Sequence, residues 1–245
     1  MIFFKKKGIP LIDFFPKGFI DIHSHLLPGI DDGAKNLDTS IALITKMRSY
    51  GIKNIITTPH VLGDLYQNSS DTIKNKLKEV QEELQRRNIT DVSIHAAAEY
   101  MMDEQFSELL EKNDILTLKD NYVLVEMSYF SAPINLYEIL FEIQVKGYKP
   151  VLAHPERYNF FHNDFNHYYK LKKAGCLFQL NLLSLTEQYG KGVQKMSEKI
   201  LKENLYDFAG TDVHHKNHLE LLKKIGTKKN LEKIKHLLSY NKKFK

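Results

Sequence analysis

The sequence has 245 residues, of which 42% are hydrophobic, with a single cysteine and a formal net charge of +5. Its length suits one domain of α/β-barrel size, and its composition excludes a disordered or collagen-like chain, a disulfide framework and a cysteine-based zinc site. Residues 1–20 carry a net charge of +3 and residues 216–245 a net charge of +8, so residues 21–215 are acidic, at −6. This distribution indicates a solvated Lys-rich C-terminal helix, with contact to an acidic membrane, polymer or partner as the alternative, and predicts no nucleic-acid partner.

Seven short runs rich in Ile, Val, Leu and aromatic residues alternate with longer segments at helical period. The predicted strands lie within residues 18–25, 53–60, 92–100, 122–128, 150–157, 176–183 and 205–214. Helices are predicted over residues 38–49, 71–87, 103–111, 134–146, 164–174 and 194–203. A repeated strand–helix–strand rhythm is typical of a parallel sheet, and seven units favour closure into a barrel. The predicted fold is therefore an α/β, TIM-like (β/α)7 barrel.

The N-terminal extension, residues 1–18, does not fit this rhythm and precedes a barrel over residues 19–245. Three placements stay open for it: across the bottom of the barrel, at a membrane surface, or in a subunit contact. The opening run has no long apolar core of the kind that a signal peptide needs, and no stretch reaches the roughly 18 apolar residues of a membrane span. Together with the single cysteine, this predicts a cytoplasmic protein without a transmembrane segment.

Six of the seven predicted strands end in, or run directly into, residue types that bind metals or phosphate. In chain order these residues are His23 and His25, His60, Glu99, Glu126, His154 with Arg157, and Asp212 with His214. Because the C-terminal ends of the strands in a parallel barrel face one mouth, we expect these side chains to converge there. Buried charge is costly unless it is paired or bound to a metal, so the joint pattern predicts a metal site.

The spacing of the histidines and acids supports this prediction. His23 and His25 are two residues apart, as are Asp212 and His214, so each pair shares one face of its strand. The first and last strands of a closed barrel are neighbours, which would let the two pairs hold one metal together. Imidazole and carboxylate donors without a thiolate suit Mn, Fe, Zn or Co and argue against copper or an iron–sulfur cluster.

Other polar residues are not expected to be ligands. An isolated histidine is more often a hydrogen-bonded structural residue, and six histidines fall in this class: His95, His162, His167, His215, His218 and His236. The sixth strand ends in Gln179 and Asn181, which are polar but not expected to coordinate a metal.

Six motifs carry a resemblance to a known family. The segments DIHSHLLPGIDDGA, TTPH, AAEY, VLVEMS, LAHPERY and AGTDVHH, in this order over about residues 19–225, resemble the PHP (polymerase and histidinol phosphatase) superfamily. They are most similar to the bacterial manganese-dependent tyrosine-protein phosphatases of capsule and exopolysaccharide operons. The resemblance implies a distorted seven-stranded barrel with three divalent metal ions, Mn first, with Fe, Zn or Co as alternatives.

The resemblance also implies a role for each motif residue. His23, His25 and Asp212 would hold one metal, Glu99 would bridge two, and Glu126 and His154 would complete the second. Asp32 would join His60 and His214 on the third metal, with the adjacent Asp31 as the alternative to Asp32. Arg157 would bind the phosphate of the substrate.

The implied activity is metal-dependent hydrolysis of phosphotyrosine on the C-terminal tail of an autophosphorylating tyrosine kinase that controls capsule or exopolysaccharide synthesis. A Cys-dependent route is excluded, because it needs an arginine six positions after the nucleophile, where Cys176 is followed by Leu182. The alternatives are a PHP phosphoesterase acting on a small phosphomonoester, such as histidinol phosphate, or on a nucleotide, and a noncatalytic metal-binding barrel that serves as a regulatory or nucleic-acid module. Short predicted loops favour an open site that a protein tail can reach, and the oligomeric state stays open.

Overall fold

A computed structural model describes residues 8–245 and has parallel strands surrounded by helices. The strands are β1 (Ile20–Asp21), β2 (Asn54–Thr57), β3 (His60–Val61), β4 (Ser93–Ala96), β5 (Glu99–Met101), β6 (Tyr122–Glu126), β7 (Lys149–Ala153), β8 (Leu177–Asn181) and β9 (Phe208–Gly210). The α-helices are α1 (Leu11–Phe14), α2 (Leu37–Ser49), α3 (Ser70–Arg86), α4 (Glu104–Glu111), α5 (Leu136–Val145), α6 (Asn166–Lys173), α7 (Lys191–Lys202), α8 (Lys216–Leu222) and α9 (Lys228–Tyr240). Short 3-10 helices span Pro155–Arg157, Asn159–Phe161, Leu182–Leu185, Lys223–Ile225 and Asn241–Phe244.

The strands form two parallel sheets, in the orders β1-β2-β4 and β3-β5-β6-β7-β8-β9. β2 continues into β3 and β4 continues into β5, so the nine strands correspond to the seven predicted runs. Pro59 interrupts the run that contains β2 and β3, because proline has no N–H to donate. Its carbonyl still accepts a hydrogen bond from Glu99 N–H at 3.0 Å. The predicted α/β class with parallel strands is confirmed.

The seam between β1 and β9 has no regular ladder. The segments that follow these two strands meet at an isolated parallel bridge between Ser24 and Val213, where His25 N–H donates to the Val213 carbonyl at 2.8 Å. Below this bridge, Asp21 accepts hydrogen bonds from the N–H and the hydroxyl of Thr211, both at 2.8 Å. Side-chain and backbone bonds therefore bring the first and last strands of the predicted barrel together.

The six predicted helices all occur, with ends that differ from the predicted ones by at most three residues. Gly51, Gly147 and Gly175 follow α2, α5 and α6 with φ of +86°, +83° and +82°. This left-handed conformation is the usual way to end a helix and costs glycine little. The same glycines mark the helix ends in the sequence.

The floor of the barrel is closed by the C-terminus. Phe244 packs edge-on against Tyr122 and Phe208, with ring centroids 5.4 and 4.8 Å away. Asn241 is fully buried; its amide donates to the carbonyls of Ile20 and Ala209, at 2.8 and 2.6 Å, and accepts from Ala209 N–H at 3.2 Å. The Lys-rich C-terminus thus ends in a structural plug.

The described part of the N-terminal extension packs on the outside of the barrel. Leu11 and Phe14 of α1 are buried in the main hydrophobic core, and Ile9 N–H donates to the carbonyl of Gly226, between α8 and α9. The three consecutive lysines of the extension lie in residues 1–7, outside the described residues. Within residues 8–245, no helix has both the length and the apolar character needed to cross a membrane.

Candidate metal centre

The C-terminal ends of the strands bring all nine predicted metal ligands to one mouth. Four overlapping groups have ligand atoms within 4.8 Å of one another: His25, Asp32, His60 and His214; His23, His154 and Asp212; His23, His25 and Glu99; and His60, Glu99 and Glu126. The six histidines that were set aside belong to no such group in the described part of the chain. The convergence that strand order predicts is therefore present in the structure.

The centre of the cluster is formed by two histidines and two carboxylates. His23 Nε2 lies 3.1 Å from Glu99 Oε2 and 3.3 Å from Asp212 Oδ1, and His25 Nε2 lies 3.3 and 3.5 Å from the same two atoms. The two Nε2 atoms are 3.3 Å apart. Four donor atoms thus face one small volume.

In His23 and His214, a hydrogen bond from the ring nitrogen Nδ1 fixes the orientation of the imidazole. His23 Nδ1 donates to Gln179 Oε1 at 2.8 Å, and His214 Nδ1 donates to the backbone carbonyl of Asp212 at 3.0 Å. Histidines that bind metals are commonly held in this way, by an acceptor on the nitrogen that faces away from the metal. Gln179, which the sequence does not predict as a ligand, is therefore a positioning residue for His23.

A second part of the cluster lies beside Glu99. His154 Nε2 is 3.0 Å from Glu99 Oε1, while His60 Nδ1 is 2.8 Å from Glu126 Oε1 and 3.3 Å from Glu99 Oε2. His154 and Asp212 have φ of +35° and +51°, which is uncommon for residues other than glycine. Such backbone strain is concentrated at functional sites, where the surrounding structure imposes it.

The two adjacent aspartates of the GIDDGA loop have different partners, and Asp31 faces inward. Its Oδ2 accepts from His25 Nδ1 at 2.8 Å, and its Oδ1 accepts from Gly33 N–H at 2.9 Å. Gly33 itself passes so close to His25 that a Cβ there would lie 2.2 Å from the His25 carbonyl oxygen. The loop therefore needs glycine at this position, and it places the Asp31 carboxylate behind the imidazole of His25.

Asp32 instead faces the mouth. Its side chain is 53% exposed, and its Oδ1 lies 3.5 Å from His60 Nε2 and 3.4 Å from His214 Nε2. Asp32 is thus the carboxylate that lies beside the Nε2 atoms of His60 and His214, while Asp31 orients the imidazole of His25.

Electrostatics keep the donor set ready for a cation. Burial opposes ionisation of Glu99 and Asp212, but nearby imidazoles, His23 foremost, hold the pKa of both carboxyls well below the usual range. Burial and the neighbouring His25 lower the pKa of His214 to about 3, so this imidazole is neutral. Burial also disfavours a charged His23, but Glu99 and Asp212 outweigh it and raise the pKa of His23 to about 9. A cation bound among these groups would take the place of that proton.

The residues present fit a divalent metal. His60 Nδ1 and Glu99 Oε2 are buried and lie close to Glu126 Oε1 and His23 Nε2, at 2.8 and 3.1 Å, yet neither forms a hydrogen bond of good geometry in the described structure. An unpaired buried polar atom is costly, and coordination would remove that cost. Nitrogen and oxygen donors without sulfur suit Mn, Fe, Zn or Co.

Arg157 lies at the edge of the cluster between two tyrosines. Its guanidinium carbon is 4.7 Å from the ring centroid of Tyr129 and 4.2 Å from that of Tyr189, and its terminal nitrogen donates to Asp212 Oδ2 at 2.9 Å. Asn181 donates to the same oxygen at 2.6 Å and to the Tyr189 hydroxyl at 3.2 Å. The predicted phosphate-binding arginine is therefore held in place on three sides.

The 3-10 helix Pro155–Arg157 that carries this arginine is anchored from below by Glu156. This buried carboxyl accepts from Asn181 N–H at 3.0 Å and from the Tyr206 hydroxyl at 2.8 Å. Tyr129 and Tyr189 are functional candidates that the motif pattern does not reveal, because their contacts with Arg157 join segments that are distant in sequence. Glu156 lies within the LAHPERY motif, but its contacts with Asn181 and Tyr206 appear only in the folded chain.

The mouth opens into a cavity of about 370 Å³. Its lining includes Arg157 and the buried proposed ligands Glu99, Glu126, His154 and Asp212, together with the more exposed Leu65, Tyr66, Tyr129 and Phe130. The cavity combines a charged floor with apolar and aromatic walls, as expected for a site that binds a ligand with a polar end and an apolar body.

Two curated relatives are similar to this chain over most of their length. Tyrosine-protein phosphatase YwqE of Bacillus subtilis (strain 168) is 32% identical over 200 residues, which cover 80% of this chain and 76% of YwqE. Tyrosine-protein phosphatase CpsB of Streptococcus pneumoniae is 30% identical over 203 residues, which cover 80% of this chain and 83% of CpsB.

Similarity extends to the fold and to the family. A chain from the crystal structures of YwqE from Bacillus subtilis and CpsB from Streptococcus pneumoniae, described as unique metal-dependent tyrosine phosphatases, matches with a TM-score of 0.76 and 27% identity, over 90% of this chain and 94% of that chain. The sequence profile described as "Capsular polysaccharide synthesis, CpsB/CapC" matches residues 19–241. These matches confirm the resemblance carried by the motifs, and the chain belongs to the CpsB/CapC family of capsular polysaccharide synthesis.

Proposed function

We propose that this protein is a metal-dependent protein-tyrosine phosphatase, a phosphoric monoester hydrolase that does not use cysteine. The observation that carries the proposal is the convergence of nine imidazole and carboxylate side chains beside Arg157 at one open mouth. The relatives named tyrosine-protein phosphatase support the substrate class.

The proposed centre holds three divalent metal ions, with Mn as the first candidate. His23, His25 and Asp212 would hold one ion, Glu99 would contribute to two, Glu126 and His154 would complete the second, and Asp32, His60 and His214 would hold the third. Divalent cations at such a site supply Lewis acidity toward phosphoryl oxygens and make water a better nucleophile near neutral pH.

The remaining work falls to the side chains of the chain itself. The guanidinium of Arg157 presents a planar fork of N–H donors that matches two phosphate oxygens and favours the charge that develops on them. The faces of Tyr129 and Tyr189 restrict the guanidinium to one orientation, which lowers the entropy lost on binding phosphate. A tyrosine leaving group has a pKa of about 10, so it departs without a strong general acid.

The proposed substrate is a phosphotyrosine protein, specifically the C-terminal tail of an autophosphorylating tyrosine kinase that controls capsule or exopolysaccharide synthesis. The family description, capsular polysaccharide synthesis, supports this process. We place the protein in the cytoplasm, since Cys176 is a free thiol and a lone cysteine suits a reducing compartment.

Hydrolysis of four substrates by the purified full chain tests this function. A phosphotyrosine peptide, a phosphoserine peptide of the same sequence, histidinol phosphate and a dinucleotide are assayed with Mn²⁺ and after chelation. We expect the phosphotyrosine peptide to be hydrolysed fastest, the activity to be lost with the chelator, and Mn²⁺ to restore it. Similar rates on all monoesters would contradict the assignment, as would faster hydrolysis of histidinol phosphate or activity that survives chelation.

Two variants test the site within the same assay. Arg157→Ala and His154→Ala should abolish turnover while circular dichroism stays unchanged. Arg86→Ala is the matched control, because Arg86 is an exposed arginine of α3 that pairs with Glu83. If Arg157→Ala or His154→Ala keeps a rate near that of Arg86→Ala, the assignment of that residue is wrong.

A further inference from the structure

We propose that Leu65 and Phe130 form an apolar rim that binds the aromatic ring of a phosphotyrosine side chain and thereby selects aryl phosphates over alkyl phosphates. This inference rests on the proposed phosphatase function and adds the residues that decide its substrate class.

Both rim residues are large, apolar and open to solvent: Leu65 is 66% exposed and Phe130 is 95% exposed. Isolated exposed apolar side chains are common on soluble proteins and need no special explanation. These two, however, line the same cavity as Arg157 and the buried proposed ligands Glu99, Glu126, His154 and Asp212. Their position above a charged floor gives them a common role in binding.

The walls between the floor and the rim are aromatic. The ring of Tyr66 stacks against His60, with centroids 5.7 Å apart and planes 13° apart. The ring of Tyr129 stacks against His154, with centroids 5.9 Å apart and planes 29° apart. Each loop thus packs one aromatic ring against a proposed ligand and presents the adjacent apolar residue, Leu65 or Phe130, at the outer edge.

This layered order matches the order of groups in a phosphotyrosine side chain. Its phosphate would reach Arg157 and the ligand cluster, its ring would lie at the level of the rim, and its backbone would stay outside. A phosphoserine side chain has a single carbon between its ester oxygen and Cα, so it places no apolar group at the rim. An aromatic ring beside Phe130 gains the offset or edge-to-face contact that such pairs favour.

Hydrogen bonds hold the backbone that carries the rim residues. Leu65 sits in a tight turn closed by backbone bonds between Leu62 and Tyr66, at 2.8 and 3.1 Å. Phe130 N–H donates to Ser128 Oγ at 3.2 Å, at the start of the loop from β6 to α5. A preorganised backbone loses less conformational entropy on binding.

A preference for tyrosine also arises from chemistry, because phenoxide leaves more readily than an alkoxide. Binding of phosphonates separates the two effects, since their carbon–phosphorus bond is not hydrolysed. Benzylphosphonate carries a ring, propylphosphonate carries an alkyl chain, and orthophosphate carries neither.

Isothermal titration calorimetry on the full chain loaded with Mn²⁺ gives the Kd of each of these three ligands. We expect the wild type to bind benzylphosphonate about 10-fold more tightly than propylphosphonate. Leu65→Ala and Phe130→Ala should each weaken benzylphosphonate binding about 3- to 10-fold, while Phe130→Tyr, which keeps the ring, should retain it. The Kd of orthophosphate should stay within about twofold, because the rim contacts no phosphate oxygen.

Phe141→Ala is the matched control, because Phe141 is also an exposed phenylalanine, 67% exposed on α5, but does not line this cavity. It should change none of the three Kd values. Equal wild-type affinities for the benzyl and propyl ligands would overturn the proposal. So would a Leu65→Ala/Phe130→Ala double variant that keeps the preference, or one that weakens all three ligands equally. These Kd values do not depend on turnover, so failure of the peptide assay rejects the phosphatase function while the calorimetry separately decides the role of the rim.

Discussion

Asp31 and Asp32 are adjacent in sequence, yet their replacement should have opposite consequences. Asp32→Ala removes a half-exposed carboxylate whose nearest partners are the Nε2 atoms of His60 and His214, at 3.5 and 3.4 Å. It takes away one of the three proposed ligands of the third ion, so we expect the metal content to fall by about one ion per chain. The unfolding free energy of the metal-free Asp32→Ala protein should differ from that of the metal-free wild type by no more than about 0.5 kcal/mol, as for other surface substitutions.

Asp31→Ala acts through His25. It removes the acceptor that lies 2.8 Å from His25 Nδ1 and leaves this buried ring free to turn. Loss of a hydrogen bond to a charged group costs about 1.5–3 kcal/mol, so the metal-free protein should lose that much unfolding free energy. Outer partners of metal ligands typically contribute 10- to 100-fold in affinity, about 1.4–2.7 kcal/mol, so the ions should bind more weakly but still be retained at saturating metal.

Two measurements separate these outcomes. Metal analysis by inductively coupled plasma mass spectrometry counts the ions per chain after dialysis against saturating Mn²⁺, and urea unfolding of the chelated protein gives the free energy. Asp71→Ala, at an exposed aspartate of α3, is the control for removing one negative charge. An Asp31→Ala protein that lacks an ion while Asp32→Ala keeps the full number would reverse the assignment and refute the reasoning.

Three further predictions concern Tyr189 beside Arg157, the buried thiol of Cys176, and Asn241 in the C-terminal plug. Tyr189→Leu removes one aromatic face of the guanidinium and should raise KM for a phosphotyrosine peptide about 3- to 10-fold with little change in kcat, whereas Tyr189→Phe should stay within about threefold of wild type; equal effects would show that stacking is irrelevant. Burial raises the pKa of the Cys176 thiol to about 12, so the thiol stays protonated at mildly alkaline pH and N-ethylmaleimide should neither label nor inactivate the folded protein; rapid inactivation would contradict this. Asn241→Ala removes three hydrogen bonds to buried backbone groups, so urea unfolding should show a loss of roughly 2–4 kcal/mol, against less than about 1 kcal/mol for the exposed Ser239→Ala; equal losses would show that these bonds do not stabilise the fold.

The sequence predicts the strands and the convergence of the candidate ligands at one mouth because both follow from local periodicity. A buried parallel strand is a short apolar run, and its polar C-terminal end stands out against that run, as at His23, Glu126 and Asp212. Chain order then places these ends at one mouth without any knowledge of distant contacts. Glycines after the helices mark their ends for the same local reason.

Contacts between distant segments could not be predicted in this way. Tyr189 faces Arg157 from a loop more than thirty positions further along the chain, and nothing in the spacing of the two residues indicates it. The choice between Asp31 and Asp32 depends on a close approach of the loop to His25, which only the folded chain defines. Pairing of Asn241 with the first and last strands likewise depends on closure of the barrel.

The seam between the first and last strands connects the metal centre to the rest of the fold. Asn241 holds its lower end by bonding to Ile20 and Ala209, and Asp21 bonds to Thr211 above that point. Its upper end carries the ligand pairs of both strands, and within residues 8–245 the two strands are bridged there at Ser24 and Val213 without a regular ladder.

Ions shared by the two strands would therefore close the top of the barrel as the C-terminal plug closes its floor. Binding that favours only the folded state stabilises it in proportion to the logarithm of the free metal concentration. The metal centre and the barrel would thus depend on each other for stability, and the Lys-rich C-terminus, whose charge first suggests a partner, contributes to the same closure through its buried last turn.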